Sequence, residues 1–452
     1  MITLRDLLAD TGGVAVGLDG GHRFELASAD SRQCPPGALF AAVRGDHLDG
    51  HRFAQAALEQ GAGAVLVDEP GGWSPRIEVP DVRRALFQIL AGQRRRYGGQ
   101  VVAVTGSVGK TTTKDLLAQL MAPYRRTFRS PGNLNSNVGL PLAAVSLSAD
   151  DQLAVVEMAM RLPGEIHELA LACPPDLAIV TRIGVSHIGR LGSVEAIARA
   201  KGELFGALSG RGVAILNADD PWSDYLALLA PGRALRAGQA EGADLRLEVR
   251  EDKGLAGWSV TLRGAGQSVA AEFSWPGTGA LEALALAAQA ALALGLSLTE
   301  IAAAVSHLDP AASRLVIWEA HGVLVLDDAY NASPQSVAAA LRLLGSVKGR
   351  RRVAILGEMR ELGAHSRELH LEVGRMAGLA VDQLVCVGEG GQEIAAGARA
   401  AGLADRSIHL TSDRRMAAAL SRRLLEPGDA VLVKASRAVG LDGLLREVLG
   451  DG

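Results

Sequence analysis

The spacing of Gly106, Gly109, Lys110, Thr111 and Thr112 is suited to holding phosphate groups. The two glycines let the backbone bend so that successive N–H groups point at one oxyanion. Lys110 has the reach to contact the outer phosphates of a nucleotide, and a hydroxyl group from Thr111 or Thr112 is a Mg²⁺ ligand in such loops. The pattern, G-x-x-G-K-T, is two residues shorter than the common G-x-x-x-x-G-K-[ST]. It predicts a site for ATP and Mg²⁺.

The segments on either side of this loop match the context that a phosphate site needs. Val101–Val104 form a short apolar run, which is typical of a buried parallel strand. The loop, which also contains Ser107, is followed by apolar residues at helical spacing from Leu116 to Met121. The partial positive charge of a helix N-terminus would then face the phosphates. The alternative is a glycine-rich strand-to-helix turn with a surface lysine.

Chemically active side chains also follow other apolar runs. Glu157 comes directly after Leu153–Val156, and His187 lies in the segment after Leu177–Val180. In an open parallel sheet, ligands bind beyond the carboxyl ends of the strands, so both side chains are expected on the same edge as the phosphate loop. A carboxylate there suits Mg²⁺. The alternative for His187 is a loop histidine with an ordinary hydrogen-bonding role.

Lys201 is placed unusually for a lysine. It lies four residues after Ile197 and three before Leu204, on the apolar face of the helix predicted from Ser193. A buried lysine is costly unless it is paired, and desolvation lowers its pKa. Lys201 is therefore expected either to meet an anion or to react as a neutral amine, unless its ammonium group reaches the edge of the helix.

Length and composition indicate a globular protein of several domains. A chain of 452 residues is too long to fold around a single hydrophobic core. A composition of 48% apolar and 21% charged residues is typical of a globular protein. The net charge of −4 indicates neither a nucleic-acid nor a membrane partner. Three scattered cysteines, an N-terminus unlike a signal peptide and no apolar run of membrane-spanning length favour a cytoplasmic protein.

The order of patterns predicts three α/β units with boundaries near 98 and 309. Residues 1–98 combine short strands and helices, and residues 99–309 contain the phosphate loop, parallel strands and antiparallel edge strands. Residues 310–452 repeat strand, loop and helix four times, which indicates a second doubly wound domain. Its first loop contains Asp328, Tyr330 and Asn331, on the edge expected to bind ligands.

Taken together, these segments resemble the Mur ligase family of ATP-dependent amide-bond ligases, which act in peptidoglycan precursor synthesis. The resemblance covers nearly the whole chain. It is carried by these stretches: TGSVGKTTTK, GNLNSNVGLP, VEMAMRLPGEI, TRIGVSHIGRLGS, ARAKGELF, LNADDP, SRLVIWE and LDDAYNASP. It implies a small α/β N-terminal domain that binds a nucleotide-sugar (1–98), a central P-loop-type parallel-sheet ATPase domain (99–309) and a C-terminal Rossmann-like ligase domain (310–452).

The resemblance also implies roles for individual residues. Lys201 matches the family lysine that becomes carbamylated and supports Mg²⁺, and with Lys110 and His187 it is expected to be catalytic. The expected nucleotide-binding residues are Gly106, Ser107, Gly109, Lys110, Thr111, Thr112, Arg314 and Asp328. The expected metal-site residues are Thr111, Glu157, His187 and Lys201. The expected substrate-binding residues are Ser31, Arg32, Asn133, Asn135, Tyr330 and Asn331.

Within the family, ADSRQCPPGALFAAVRGDHLDGH, GEMRELG and LVKASR are similar to the member that joins D-alanyl-D-alanine to a UDP-N-acetylmuramoyl-tripeptide. The resemblance therefore implies those two small-molecule substrates, and a monomeric enzyme is expected. Folylpolyglutamate synthase, a plain P-loop NTPase or kinase, and a nucleotide-binding homologue without catalysis remain alternatives.

The sequence departs from the family where adenine is usually held. Gly279, Ala280 and Ala283 occupy the places of a histidine–asparagine pair and a second asparagine. Arg182 stands where asparagine is usual, and Ser333 replaces the second asparagine of Y-N-A-N-P. No phosphate or metal ligand is lost, so an active enzyme with another way of holding adenine is expected.

Overall fold

The computed structural model describes residues 1–45, 48–208, 211–309 and 315–450. Within these residues the strands form sheets of nine, six and five strands and one two-stranded pair. Each sheet lies within one of the three predicted units. The mixed α/β class, with mainly parallel sheets, is therefore confirmed.

The N-terminal unit is a small sheet with strand order β2-β7-β6-β5-β4, beside the pair β1-β3. The carboxylate of Asp81 caps the last helix by accepting the backbone N–H of Arg84 at 2.7 Å. The elements are β1 (Ile2–Thr3), α1 (Leu4–Thr11), β2 (Val14–Val16), β3 (Arg23–Phe24), β4 (Ala27–Ser28), β5 (Leu39–Ala41), α2 (Ala54–Glu59), β6 (Ala64–Val67), β7 (Arg76–Glu78) and α3 (Val82–Arg96).

The central unit is a nine-stranded sheet with β8 between β11 and β10, in the order β16-β15-β14-β13-β12-β11-β8-β10-β9. The strands are β8 (Gln100–Thr105), β9 (Thr127–Arg129), β10 (Leu153–Glu157), β11 (Leu177–Val180), β12 (Val213–Asn217), β13 (Arg233–Gly238), β14 (Leu245–Asp252), β15 (Trp258–Gly264) and β16 (Gln267–Phe273). The helices are α4 (Lys110–Met121), α5 (Gly139–Ala144), α6 (Glu165–Ala172), α7 (Ile188–Leu191), α8 (Val194–Gly202), α9 (Ser223–Leu229), α10 (Thr278–Ala293) and α11 (Leu298–Val305).

The C-terminal unit is a six-stranded sheet in the order β17-β18-β22-β19-β20-β21, antiparallel only at β17–β18. The strands are β17 (Val316–Ala320), β18 (Val323–Asp327), β19 (Arg351–Gly357), β20 (Gln383–Val387), β21 (Ile408–Thr411) and β22 (Asp429–Lys434). The helices are α12 (Pro334–Ser346), α13 (Ser366–Ala380), α14 (Gly391–Ala400), α15 (Arg414–Leu424) and α16 (Leu444–Leu449). The four predicted strands are β18, β19, β20 and β22, and the edge strands β17 and β21 are additions.

The helix predicted from Ser193 ends before the apolar residues that the prediction assigned to it. α8 ends at Gly202, and residues Glu203–Ala207 continue as a 3-10 helix. Leu204 and Phe205 are nevertheless fully buried, because the tighter turn keeps them on the same side of the chain. Lys201 remains on the buried face, as predicted.

The central and C-terminal units share one continuous apolar core. Ile183 and Ile188 belong to the same cluster of buried residues as Met359 and Leu362. The polar edges of the two sheets are thereby brought face to face. Among the described residues, no helix combines the length and apolar character needed to cross a bilayer.

Candidate active site

The phosphate loop lies between β8 and α4, as predicted, and its two glycines adopt left-handed backbone conformations. The φ of Gly106 is +146° and that of Gly109 is +86°, a region that side chains with a Cβ rarely occupy. Gly109 is the N-cap residue of α4, so the helix dipole points into the loop. The Nζ of Lys110 donates a hydrogen bond to the Gly106 carbonyl oxygen at 2.9 Å, which folds the lysine back over the loop.

The loop after β11 supports the phosphate loop from behind. The Ser107 N–H donates to the Arg182 carbonyl oxygen at 2.7 Å, and the Ser107 hydroxyl accepts the Gly184 N–H at 2.9 Å. The Thr181 hydroxyl donates to the Val108 carbonyl oxygen at 2.6 Å. These bonds fix the curvature of the loop before any nucleotide is present.

Gly106→Ala is expected to lower the free energy of unfolding by at least about 2 kcal/mol and to abolish nucleotide binding. A Cβ at this position would lie 1.9 Å from the Thr181 hydroxyl oxygen, and the left-handed backbone would add about 1–3 kcal/mol of strain. Thermal unfolding and ADP titration would measure both effects. The matched control is Gly345→Ala, since Gly345 is helical and its Cβ would meet no atom within 4 Å. Normal ADP affinity in the Gly106 variant would contradict this account.

Glu157 forms the centre of a polar cluster beside the loop. Its Oε2 accepts a hydrogen bond from the Thr111 hydroxyl at 2.6 Å, and its Oε1 accepts one from the Asn135 side-chain amide at 2.7 Å. Its backbone N–H donates to the Ser130 hydroxyl at 3.1 Å. The side chain is almost completely buried, with 1% exposure. The oxygen-rich donor set is of the kind that Mg²⁺ prefers.

Lys201 is buried beside this cluster, with 2% exposure. Burial is the main cause that lowers its pKa well below the ordinary value of 10.5, and the positive charge of Lys110 adds to the effect. The negative charge of Glu157 opposes it. An amine in this environment favours the neutral, nucleophilic form.

His187 contacts the C-terminal unit. Its Nδ1 lies 2.7 Å from Oε2 of Glu361, which is a close polar contact without the alignment of a good hydrogen bond. The His187 ring is the main cause that lowers the pKa of the Glu361 carboxyl. The metal-site histidine predicted from the sequence is therefore linked to a residue of another domain.

The C-terminal unit forms the opposite wall of the site. Lys434, at the end of β22, is almost fully buried, and its Nζ donates to Asp328 Oδ2 at 2.6 Å and to the Asn331 carbonyl oxygen at 2.9 Å. Arg437 lies over the ring of Tyr330 at 5.6 Å. The end of β22 thus holds the loop of Asp328, Tyr330 and Asn331 in place.

Both walls enclose a cavity of about 950 Å³. Most of the predicted site residues line it: Ser107, Gly109, Lys110, Thr111, Thr112, Asn133, Asn135, Glu157, His187, Asp328, Tyr330 and Asn331. Gly106 and Lys201 are not among the residues that line it. Ser31 and Arg32 lie apart in the N-terminal unit, where Arg32 pairs with Asp30 at 2.7 Å. Arg314 lies outside the described residues.

Several lining residues were not among the predicted site residues. They are Arg83, Asn137, Arg161, Ser186, Trp275, Pro276, Gly277, Arg360, Glu361, Lys434, Ser436 and Arg437. The position of Lys434, Ser436 and Arg437 after a predicted strand was a usable signal. Glu361 lies in the GEMRELG stretch without any chemical pattern of its own, so no residue spacing could reveal its contact with His187.

Arg182, the residue that departs from the expected asparagine, forms a bidentate ion pair with Glu282. Both the Nε and Nη2 atoms of Arg182 lie 2.8 Å from the Glu282 carboxylate oxygens, and Asn217 donates a longer bond of 3.4 Å to the same carboxylate. The pair ties the start of α10 to the loop after β11. The adjacent cavity wall consists of Trp275, Pro276 and small residues of α10.

Three family models match this chain. They are the Mur ligase family catalytic domain (residues 24–94), the Mur ligase middle domain (104–291) and the Mur ligase glutamate ligase domain (313–437). A relative from Synechocystis sp., named UDP-N-acetylmuramoyl-tripeptide–D-alanyl-D-alanine ligase, is 35% identical over 95% of this chain and 93% of its own.

Solved structures agree with the sequence relatives. MurF from Acinetobacter baumannii matches with a TM-score of 0.86 and 27% identity, over 99% of each chain. MurF ligase from Thermotoga maritima, solved in complex with ADP, matches with a TM-score of 0.79 and 29% identity, over 95% of this chain and 97% of that one. The three-part architecture and the curated relatives thus point to the same family.

Proposed function

This chain belongs to the Mur ligase family, and we propose that it is an ATP-dependent ligase that joins D-alanyl-D-alanine to UDP-N-acetylmuramoyl-tripeptide. The observation that carries the proposal is the cavity shared by the phosphate loop, the Glu157 cluster and the Asp328 loop. A plain NTPase needs only the first two of these parts. A second domain facing the phosphates suits a reaction in which an activated intermediate must be kept from water.

ATP is proposed to lie with its phosphates on the loop of Gly106 to Thr112 and its base near Trp275, Pro276 and Gly277. The first position is supported by the left-handed glycines and the helix N-terminus, and the second by the apolar cavity wall. Asp328 and Arg314 are proposed to approach the nucleotide from the C-terminal domain. The Arg182–Glu282 pair lies outside the cavity lining, and its proposed role is to hold the start of α10 in place rather than to bind the base.

Mg²⁺ is proposed to bind at Thr111 and Glu157, with His187 and a carbamylated Lys201 completing the metal sites. The buried carboxylate with its ring of oxygen and amide groups fits a hard cation. When bound, the ion would neutralise phosphate charge during transfer. Lys201, whose pKa is lowered chiefly by burial, would become anionic on reaction with CO₂.

The UDP-linked substrate is proposed to enter between the N-terminal and central domains. A groove of about 670 Å³ between α3 and α6 is lined by Arg83, Arg84 and Phe87, and it shares Arg83 and Asn137 with the main cavity. The groove and the main cavity are therefore neighbours at these two residues. We propose that Ser31 and Arg32 hold the UDP-sugar within residues 1–98, and that Asn133, Asn135, Tyr330 and Asn331 guide the peptide end.

The proposed reaction has two steps. The peptide carboxylate first attacks the γ-phosphorus of ATP, so that ADP leaves and an acyl phosphate forms. The amine of D-alanyl-D-alanine then attacks the acyl carbon, loses a proton, and inorganic phosphate leaves from the tetrahedral intermediate. Negative charge accumulates in both steps, and Lys110 is placed to offset it.

The test of this function is phosphate release from ATP by the purified chain. We expect release that requires both a UDP-N-acetylmuramoyl-tripeptide and D-alanyl-D-alanine, with the UDP-linked pentapeptide as product. Comparing tripeptides with diaminopimelate, lysine or ornithine at the third position would identify which third residue the enzyme uses. Release that is indifferent to both substrates would indicate a plain NTPase, and folate-dependent release would indicate a folylpolyglutamate synthase. We further propose a cytoplasmic monomer, which light scattering would test.

A further inference from the structure

The close contact between the His187 ring and the Glu361 carboxylate joins two domains at the proposed metal site. We propose that Glu361 is a positioning residue, which orients the His187 ring for its cation and thereby couples the metal site to docking of the C-terminal domain. The inference rests on the proposed function, because it takes His187 to be a metal-site residue. It assigns a role to Glu361, a residue that no sequence pattern marks as functional.

The first argument is the chemistry of the contact. A histidine that binds a metal through one ring nitrogen usually donates its other ring N–H to a carboxylate or a carbonyl group. Here Nδ1 lies 2.7 Å from Glu361 Oε2, so Nε2 is the ring nitrogen left for a cation. The imperfect alignment fits a site that tightens only when its ligands arrive.

The second argument is that the backbone on both sides is specialised for this contact. His187 and Glu361 both adopt left-handed conformations, with φ of 66° and 67°, which non-glycine residues seldom do. The Gly189 N–H donates to the Glu361 carbonyl oxygen at 3.1 Å. A Cβ on Gly189 would lie 2.6 Å from the Gly363 nitrogen. The two segments can therefore approach this closely only because residue 189 is glycine. Strained conformations of this kind persist where the surroundings require them.

The third argument is the charge around the contact. Arg161 and Arg190 of the central domain place further positive charge near the Glu361 carboxylate. Docking of the C-terminal domain therefore brings opposite charges together at this point. Glu361 itself is 39% exposed, so the contact can form and break as the domains move.

The test measures Mn²⁺ binding to the ADP complex by electron paramagnetic resonance, which needs neither acceptor substrate nor turnover. We expect Glu361→Gln to weaken Mn²⁺ binding by about 10- to 100-fold, the range for partners of metal-binding histidines. His187→Ala should weaken it at least as much. In the His187→Ala background, Glu361→Gln should then have no further effect, since Glu361 acts through that ring. Glu368→Gln, an exposed site seven residues along the same domain, is the matched control.

A second readout separates positioning from general folding. The Mg²⁺ concentration needed for half-maximal ligation should rise in Glu361→Gln, while KM for D-alanyl-D-alanine and the melting temperature stay close to those of the control. The proposal would be overturned if Glu361→Gln left Mn²⁺ affinity unchanged. It would also be overturned if Glu361→Gln lowered Mn²⁺ affinity as much in the His187→Ala background as in the unaltered chain. Failure of the unaltered chain to make the pentapeptide, with the coupling intact, would instead count against the proposed reaction alone.

Discussion

Lys110→Ala is expected to lower kcat for peptide ligation by about 10²- to 10³-fold, which corresponds to about 2.7–4 kcal/mol of transition-state stabilisation. The physical reason is that the ammonium group lies over the loop at the N-terminus of α4 that is proposed to hold the phosphates of ATP. Charge on the transferring phosphoryl group grows towards the transition state. The cation therefore stabilises that state more than it stabilises bound ATP.

Steady-state kinetics with ATP, the UDP-linked tripeptide and D-alanyl-D-alanine all saturating would measure this effect. ADP titration would show how much nucleotide affinity is lost as well. Lys348→Ala is the matched control, because Lys348 is exposed on the C-terminal domain, away from the cavity. Circular dichroism and melting curves should show that both variants fold. Near-normal turnover in Lys110→Ala would show that Lys110 does not stabilise the transition state.

Lys201→Met is expected to abolish most ligase activity and, at the same time, to stabilise the fold. Activity should fall because methionine cannot form the carbamate proposed for the metal site. In forming it, the neutral amine attacks the carbon of CO₂, an N–C bond forms and a proton leaves to solvent. Burial, and secondarily Lys110, lowers the pKa of Lys201 and so makes the neutral amine available. Labelled bicarbonate should give a carbamate signal in the unaltered chain and none in Lys201→Met.

Lys114 provides an internal comparison for this labelling. It is as deeply buried as Lys201, but its Nζ donates to the Ser130 carbonyl oxygen at 2.7 Å and lies 3.4 Å from Asp115. Its Nζ is therefore engaged by oxygen acceptors, and no carbamate is expected there. A carbamate signal that survives in Lys201→Met would contradict the assignment.

The stability effect of Lys201 depends on pH in a defined direction. In CO₂-free buffer, the unfolded chain protonates this amine below its ordinary pKa of 10.5, whereas the folded chain resists protonation. The unfolded state thus binds more protons, and stability rises with pH up to about that value. Lys201→Met should raise the melting temperature at neutral pH and flatten its rise between neutral and alkaline pH. A steeper rise in the variant would show that Lys201 is a stabilised cation instead.

Much of the fold was accessible from the sequence because its signals are local. The apolar run Val101–Val104 and the glycines after it predicted β8 and the phosphate loop. The start of α12 has an equally local signal, since Ser333 is its N-cap residue and Pro334 its first helical residue. Edge strands such as β21 escaped prediction, since a short strand that is only partly buried lacks a continuous apolar run. The end of α8 at Gly202 was not predicted either, because the apolar pattern continues from the α-helix into the following 3-10 helix.

The sequence by itself determined the chemistry of the central domain: a glycine loop, a lysine for phosphates, a carboxylate at a strand end and a lysine on an apolar face. Those features depend on spacing of a few residues along one chain segment. Only the tertiary structure determined which segments meet. It joined Glu157 to Thr111 and Asn135, Lys434 to Asp328, and His187 to Glu361. The members of each pair are far apart in the sequence and are brought together by packing within a domain or, for His187 and Glu361, between two domains, so no local pattern records them.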